Sequence, residues 1–299
     1  QLAEKTAKAV TGSVEEWTGF LQSAARLYKY SYPEQLLIYA QRPDATACAS
    51  YEIWNQTMRR YVRRGARGIA LPDGAGAVRY VFDVADTGAR KSSREVKTWA
   101  LDENNREAVA HALETQYGSA AKLGIAGQLE EIAMQQSMDY WQWHQDELRG
   151  IVDGSFLEGY DELNLEIAFR NTAAASVKYM LLSRCNLARE YQIEPEELAG
   201  VLEWNTSAAS GALGSAVSEL SEGVLRQIER TIRQYERSQN HDERTDVHEE
   251  RRVLDSQSDS SRTVGDTEQI RTDAGAVSEG ASDDHLQQPA PEREADRAP

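Results

Sequence analysis

Residues 238–299 contain no Phe, Tyr or Trp, although aromatic residues are spread through the rest of the chain. Charged residues, Ser, Gln and Pro dominate this segment, and its net charge is −9. A segment of this composition cannot bury enough apolar surface to offset the conformational entropy that folding removes. We therefore predict that residues 238–299 form a disordered acidic tail and that the folded part lies within residues 1–237.

The charge of the chain is distributed unevenly along its length. The formal net charge is −16, but residues 1–97 hold 15 Lys and Arg against 10 Asp and Glu, a net of +5. Residues 98–237 have a net charge of −12. Partners therefore have to be inferred segment by segment. We predict three parts: a module at 1–97, an acidic region at 98–237 and the tail at 238–299.

The first part combines helical patterns with one strand pattern. A capping box at Ser13 begins a helix that should run to about Tyr30, Pro33 begins a second helix, and Ser50 caps a third. Two β-rich runs follow, "IAL" and "VRYVFDV", and the Gly-rich segment "PDGAGA" between them predicts an antiparallel hairpin. The fold class predicted for the module is therefore α+β, with helices followed by a small antiparallel sheet.

Residues 98–237 show helical patterns almost throughout. The last of them carries one apolar stripe at helical spacing, formed by Leu213, Val217, Leu220, Val224, Ile228, Ile232 and Tyr235. We predict a mostly helical region with an acidic exterior.

No catalytic or metal-binding motif occurs in the sequence. It has no GxxxxGK[ST], HExxH or GxSxG, and the five histidines lack zinc spacing. Cys48 and Cys185 are far apart and fit a reducing compartment. No apolar run is long enough to cross a bilayer, and no signal peptide is predicted. We expect a cytoplasmic protein that is not an enzyme and needs no cofactor, metal or membrane.

The segment "RRYVRRGAR", residues 59–67, holds five arginines in nine positions, and no Asp or Glu lies between Glu52 and Asp73. Exposed protein surfaces usually mix both signs of charge, so this run is unusual. Arginines that contact phosphates, with rings on which bases stack, are typical of single-strand binding grooves. We predict that single-stranded DNA is bound by Arg59, Arg60, Tyr61, Arg63, Arg64, Gly65, Arg67 and Gly68. The arginines contact phosphates, Tyr61 stacks on a base, and the two glycines allow close approach of the backbone. Trp54 is predicted to lie in the core.

Three stretches, "QLLIYAQRPDATACASYEIW", "YVRRGARGIAL" and "YVFDVADT", resemble the N-terminal domain of ArdC-type antirestriction proteins. Residues 62–68 match that family's "VxKGxKG" turn, and residues 81–87 match its "VFNVxQT" strand. The chain is more similar still, to about Arg237, to the leading segment of very large proteins on conjugative transposons. In those proteins the domain precedes helicase and DNA-methylase-like regions. The resemblance implies that residues 1–97 bind single-stranded DNA in a bacterial mobile element.

The chain departs from both relatives, because it lacks the HExxH domain of ArdC-type proteins and the motor motifs of the transposon proteins. Their enzymatic activities therefore cannot be transferred to it. Whether the chain stands alone or is the detached head of a larger helicase or methylase protein stays open. The alternative function is a protein-interaction module, whose acidic helical region docks a restriction or transfer protein while the arginines make an intramolecular contact.

Overall fold

Three helices begin the chain, and their first turns follow from the capping residues in the sequence. The helices are α1 (Leu2–Val10), α2 (Val14–Arg26) and α3 (Tyr32–Gln41). The Ser13 side chain accepts a hydrogen bond from the backbone N–H of Glu16 at 3.1 Å, as the predicted cap requires. Pro33 lies in the first turn of α3, where it costs no hydrogen bond. The structure is a computed structural model, which describes residues 2–74, 76–188 and 193–260.

A three-stranded antiparallel sheet follows the helices. Its strands are β1 (Cys48–Ser50), β3 (Ile69–Pro72) and β4 (Val78–Asp83), in the order β1-β4-β3. The predicted hairpin is thus confirmed, with Ile69 opposite Val81. A second pair of strands, β2 (Tyr61–Val62) and β5 (Thr87–Gly88), pairs antiparallel beside it. The predicted third helix is a short π-helical turn at Ile53–Thr57, in which Trp54 is buried as expected.

The region after the sheet is helical, as predicted. It contains α4 (Arg106–Tyr117), α5 (Gly124–Ile151), α6 (Glu162–Arg184), the short α7 (Pro195–Leu198) and α8 (Ser207–Ser260). Of the predicted apolar stripe on α8, Leu213, Val217, Val224, Ile228 and Ile232 are fully buried. The stripe therefore marks the face of α8 that packs on the other helices.

The main hydrophobic core joins residues from both sides of the boundary predicted after residue 97. The Trp17 indole N–H donates to the Ser176 hydroxyl at 3.0 Å, and the Tyr32 hydroxyl donates to the Ser210 carbonyl at 3.3 Å. The connecting segment is itself anchored, because Trp99 is buried and donates to the Tyr28 hydroxyl at 3.0 Å. Helices α1–α3 thus complete the helical core, and the division predicted at residue 97 does not coincide with a gap between cores.

A smaller core lies under one face of the sheet. It is formed by Leu27, Ile38, Ala45, Ile69, Leu71 and Val81. Because Ile38 belongs to α3, this face of the sheet packs on the N-terminal helices. The opposite face of the sheet is the one left for solvent.

The C-terminal end of the structure differs from the predicted tail boundary. Helix α8 continues to Ser260, past the boundary predicted at residue 238, and the rest of the predicted tail lies outside the described residues. The described residues up to Arg244 form one compact unit, and the part of α8 from Thr245 onward belongs to a second. Among the described helices, none combines the length and apolarity needed to cross a bilayer. In the same part of the chain, no cluster of His, Cys, Asp and Glu is arranged to hold a metal ion.

Candidate nucleic-acid interface

The arginine segment runs through β2 and a tight turn into β3. Arg59 has a positive φ of 52°, which turns the chain out of the π-helical turn. After Tyr61 and Val62, the N–H of Ala66 donates to the Arg63 carbonyl at 3.1 Å and closes a four-residue turn. Gly65 is the third residue of that turn and has φ +87°, a conformation that side chains rarely adopt. The turn places Arg64, whose side chain is exposed, at the end of the small two-stranded sheet.

The five arginines of residues 59–67 do not all have the same environment. The Nε of Arg60 donates to the Thr87 hydroxyl at 2.8 Å, and the guanidinium of Arg63 donates to the Ala85 carbonyl at 3.2 Å. The side chains of Arg59, Arg64 and Arg67 are exposed and have no hydrogen bond or ion pair within the part of the chain that the structure describes. Two of the arginines predicted to contact phosphates therefore also stabilise the fold, and the other three guanidinium groups project into solvent.

A second basic segment lies against the first. The N–H of Arg94 donates to the Met58 carbonyl at 2.9 Å, and the Ser93 hydroxyl donates to the Arg59 carbonyl at 2.6 Å. These bonds bring Arg90, Lys91 and Arg94 beside residues 59–67. These residues were not predicted from the sequence, because they lie about 30 positions further along, in a polar connection between the sheet and the helical region. Their signal was the acid-free run "RKSSR" at residues 90–94.

Tyr61 is exposed but already has two neighbours on its ring. A Cβ atom placed on Gly88, its partner across the strands, would lie 2.3 Å from the ring carbon Cζ. The ring therefore lies directly on the backbone of Gly88. The guanidinium of Arg90 lies 5.5 Å from the ring centroid, within the range of a cation–π contact. A base that stacks on Tyr61 would share the ring with these two residues.

The two glycines predicted to admit a phosphate have different roles in the structure. Gly65 has open space around it and is required by its positive φ. A Cβ atom on Gly68 would lie 3.0 Å from the Tyr80 ring and 3.2 Å from the Phe82 ring. Gly68 is therefore needed so that two aromatic side chains can pack over the backbone.

Two carboxylates close to the first basic segment have hydrogen-bond or ionic partners of their own. Asp86, whose carbonyl accepts from the N–H of Arg63, forms an ion pair with Arg42. The buried Asp83 carboxylate accepts hydrogen bonds from the backbone N–H groups of Thr46, Ala47 and Ala85, at 2.7 to 3.0 Å. These acids are used by the fold and leave the positive charge of the arginines available for a ligand.

Comparison of the chain with models of known protein families, with curated proteins and with solved structures finds no significant match. The resemblance to ArdC-type proteins therefore remains a prediction from the sequence motifs. The structure does give physical reasons for several positions of those motifs. Val81 is part of the core, Asp83 accepts three backbone N–H groups, and Thr87 is buried and accepts from Arg60.

Proposed function

We propose that this protein is a non-catalytic, single-stranded-DNA-binding module of a bacterial mobile element. The observation that carries the proposal is the pairing of residues 58–59 with residues 93–94, which joins two acid-free basic segments into one surface. An intramolecular role for the arginines is less well supported, because Arg59, Arg64 and Arg67 have no ionic partner among the described residues. A role in antirestriction or in DNA transfer is suggested by the sequence resemblance and is part of the same proposal.

The chemistry of the surface favours a single strand over a duplex. Guanidinium groups bind phosphate oxygens in a planar, bidentate geometry, so a row of them follows a nucleic-acid backbone. Exposed rings next to such a row offer stacking surfaces to any base, and a duplex hides the faces of its bases. Phosphate contacts carry no sequence information, so we expect little sequence preference.

The test is fluorescence anisotropy of a labelled single-stranded oligonucleotide at several salt concentrations. If three to five phosphates are neutralised, log K should fall against log salt with a slope of about −2 to −3.5. Replacing Arg64 and Arg67 together by Ala should weaken binding to all sequences and flatten the slope by about 1 to 1.5, since each lost contact removes ~0.7. Replacing Arg90 and Lys91 by Ala should flatten the slope as well, because both residues lie beside residues 59–67.

The matched control replaces Lys122 and Arg230 by Ala, which removes the same charge from the helical region. This variant should bind like the unsubstituted protein, and circular dichroism should show every variant folded. Equal losses in the control and in the Arg64/Arg67 variant would mean that only the net charge matters. If the unsubstituted protein does not bind at ~50 mM salt, where phosphate attraction is strong, the proposal is wrong.

A second candidate function is a protein-interaction module. It is favoured by an exposed apolar patch on the helical region, where Phe156, Leu163 and Ile167 are 70%, 63% and 45% exposed. Glu203 lies beside this patch and accepts a hydrogen bond from Tyr160. Glu203 also lines a groove of about 460 Å³ with Glu196, and with Glu130 and Glu197, which both form ion pairs with Lys178. An apolar patch with acidic neighbours is complementary to a basic partner protein. If the protein binds no single-stranded DNA, this second function becomes the better supported one.

A further inference from the structure

The solvent-facing side of the three-stranded sheet is unusually apolar. On β4, Val81 and Asp83 are buried, whereas Val78 and Tyr80 on the opposite face are 57% and 56% exposed and Phe82 is half-buried. The uncovered face of an antiparallel sheet normally carries polar side chains. The alternation in "VRYVFDV" therefore places its aromatic residues outward.

The residues beside the two rings on this face are small. Ala70 on β3 lies opposite Tyr80, and Ala49 on β1 lies opposite Phe82. Gly68 lies beneath both rings, because a Cβ atom there would contact each of them within 3.2 Å. Small residues on the flanking strands leave the rings of Tyr80 and Phe82 as the most prominent groups of a shallow surface.

This aromatic surface continues directly into the basic segment. Gly68 is followed by β3 and preceded by Arg67, one of the arginines without a partner among the described residues. Cations that hold phosphates thus border rings that can accept bases. The complementary ligand carries negative charge along a chain and flat apolar groups beside it, which describes single-stranded nucleic acid.

The edge of the sheet argues against a peptide strand as the occupant. On the edge strand β3, the N–H of Ala70 donates to the Gln41 side-chain oxygen at 2.9 Å, and the Gln41 amide donates to the Ala70 carbonyl at 3.0 Å. This side chain occupies backbone groups that an added strand would need. The face of the sheet, and not this edge, is what remains open to a ligand.

We propose that Tyr80 and Phe82 form a base-stacking platform for single-stranded DNA, on the outer face of β4. The inference rests on the proposed function and deepens it by assigning the bases to this face. The arginines of residues 59–67 hold the phosphates, and successive bases lie on the two rings. Aromatic residues on an open sheet face bind bases in this way in known single-strand-binding modules.

The test compares two labelled probes of equal length, oligothymidylate and a strand of abasic sites, which carries the phosphates without the bases. Tyr80→Ala should weaken binding of oligothymidylate by about 5- to 150-fold, the range for one stacked base, and should leave binding of the abasic strand and the salt slope unchanged. Tyr80→Phe keeps the ring and should bind normally. Trp143→Ala removes a ring that is 84% exposed on α5 and should have no effect.

Three outcomes would overturn the platform. If Tyr80→Ala binds oligothymidylate like the unsubstituted protein, the bases lie elsewhere, while the arginine-based function stands. If the unsubstituted protein binds both probes equally, no base is stacked. If it binds neither probe, the proposed function fails together with this inference. Gel filtration adds a check, because a shift from dimer to monomer in Tyr80→Ala would assign the face to a second copy of the chain.

Discussion

Asp83 shows how one side chain fixes the end of a strand. It lies on the buried side of β4 next to Val81, and its carboxylate accepts hydrogen bonds from three backbone N–H groups in two different segments. Two of these groups belong to the loop before β1, and the third begins the turn that leads to β5. A buried carboxylate is tolerated here because its hydrogen bonds replace those of water.

Replacing Asp83 by Ala should destabilise the protein by about 3 kcal/mol or more, because each buried N–H group left without a partner costs ~1–3 kcal/mol. Urea unfolding at neutral pH measures the change. Asp44→Ala is the matched control, because the Asp44 side chain is 81% exposed and its ion pair with Arg42, at 3.6 Å, is therefore weak. This substitution should destabilise the protein by less than about 0.5 kcal/mol. Similar values for both variants would show that Asp83 does not organise these segments.

At the scale of elements, the contact between α3 and α8 depends on a single small residue. A Cβ atom on Gly214 would lie 2.1 Å from Cζ of the Tyr32 ring, so the ring lies against the backbone of α8. Tyr32 is buried, and its pKa is raised because burial disfavours the charged form. The close approach explains why a glycine interrupts the apolar stripe of α8.

Gly214→Ala should destabilise the protein by about 1–3 kcal/mol, the usual cost of forcing extra volume into a packed core. Gly211→Ala, three residues earlier in α8, meets no atom within 4 Å. It should stabilise the helix by about 0.5–1 kcal/mol, because Ala loses less conformational freedom than Gly. Thermal or urea unfolding measures the change in the free energy of unfolding for each variant. The two changes should have opposite signs if the Tyr32 ring is packed as described, and the same sign if Tyr32 can move aside.

At the scale of the whole molecule, one polar network ties distant segments together. Glu229 on α8 accepts a hydrogen bond from the Tyr28 hydroxyl at 2.5 Å and forms ion pairs with Lys29 at 2.6 Å and Arg233 at 2.9 Å. Tyr28 in turn accepts from Trp99. Burial alone would raise the pKa of Glu229, but the hydrogen bonds from Lys29, Tyr28 and Arg233 outweigh it and lower the pKa to about 2.

This network makes stability depend on pH. The ordinary pKa of a Glu is 4.5, so the folded state binds the proton less tightly than the unfolded state does. The contribution of Glu229 should therefore be complete above about pH 4.5 and be lost as the pH falls towards 2. Glu229→Gln should cost about 2–3 kcal/mol at pH 7, and the difference from the unsubstituted protein should shrink in acid.

Urea unfolding as a function of pH measures this effect, with Glu222→Gln as the control. Glu222 pairs with Arg226 one turn along α8, in a more exposed position, so its loss should cost less than about 0.5 kcal/mol. A difference between Glu229→Gln and the unsubstituted protein that stays constant down to pH 2 would contradict the lowered pKa of Glu229.

The features that could be predicted from the sequence are those set by neighbouring residues. The cap of α2, the start of α3 at Pro33, the hairpin of β3 and β4, the buried stripe of α8 and the core position of Trp54 all follow from spacings of a few residues. Local hydrogen bonding and the period of the apolar residues are enough to specify them. The sequence alone therefore determined the α+β class, with N-terminal helices followed by a small antiparallel hairpin and then a helical region, but not the strands β1, β2 and β5.

Only the tertiary structure decided which surfaces these elements form. The alternation of β4 has two faces, and the packing of Val81 on α3 turned Tyr80 and Phe82 outward. The backbone bond from Arg94 to Met58 added a second basic segment to the first, and the bond from Trp17 to Ser176 joined regions of opposite charge in one core. Each of these contacts connects residues that are distant in the chain. Their formation depends on how complete elements pack, which no short pattern encodes.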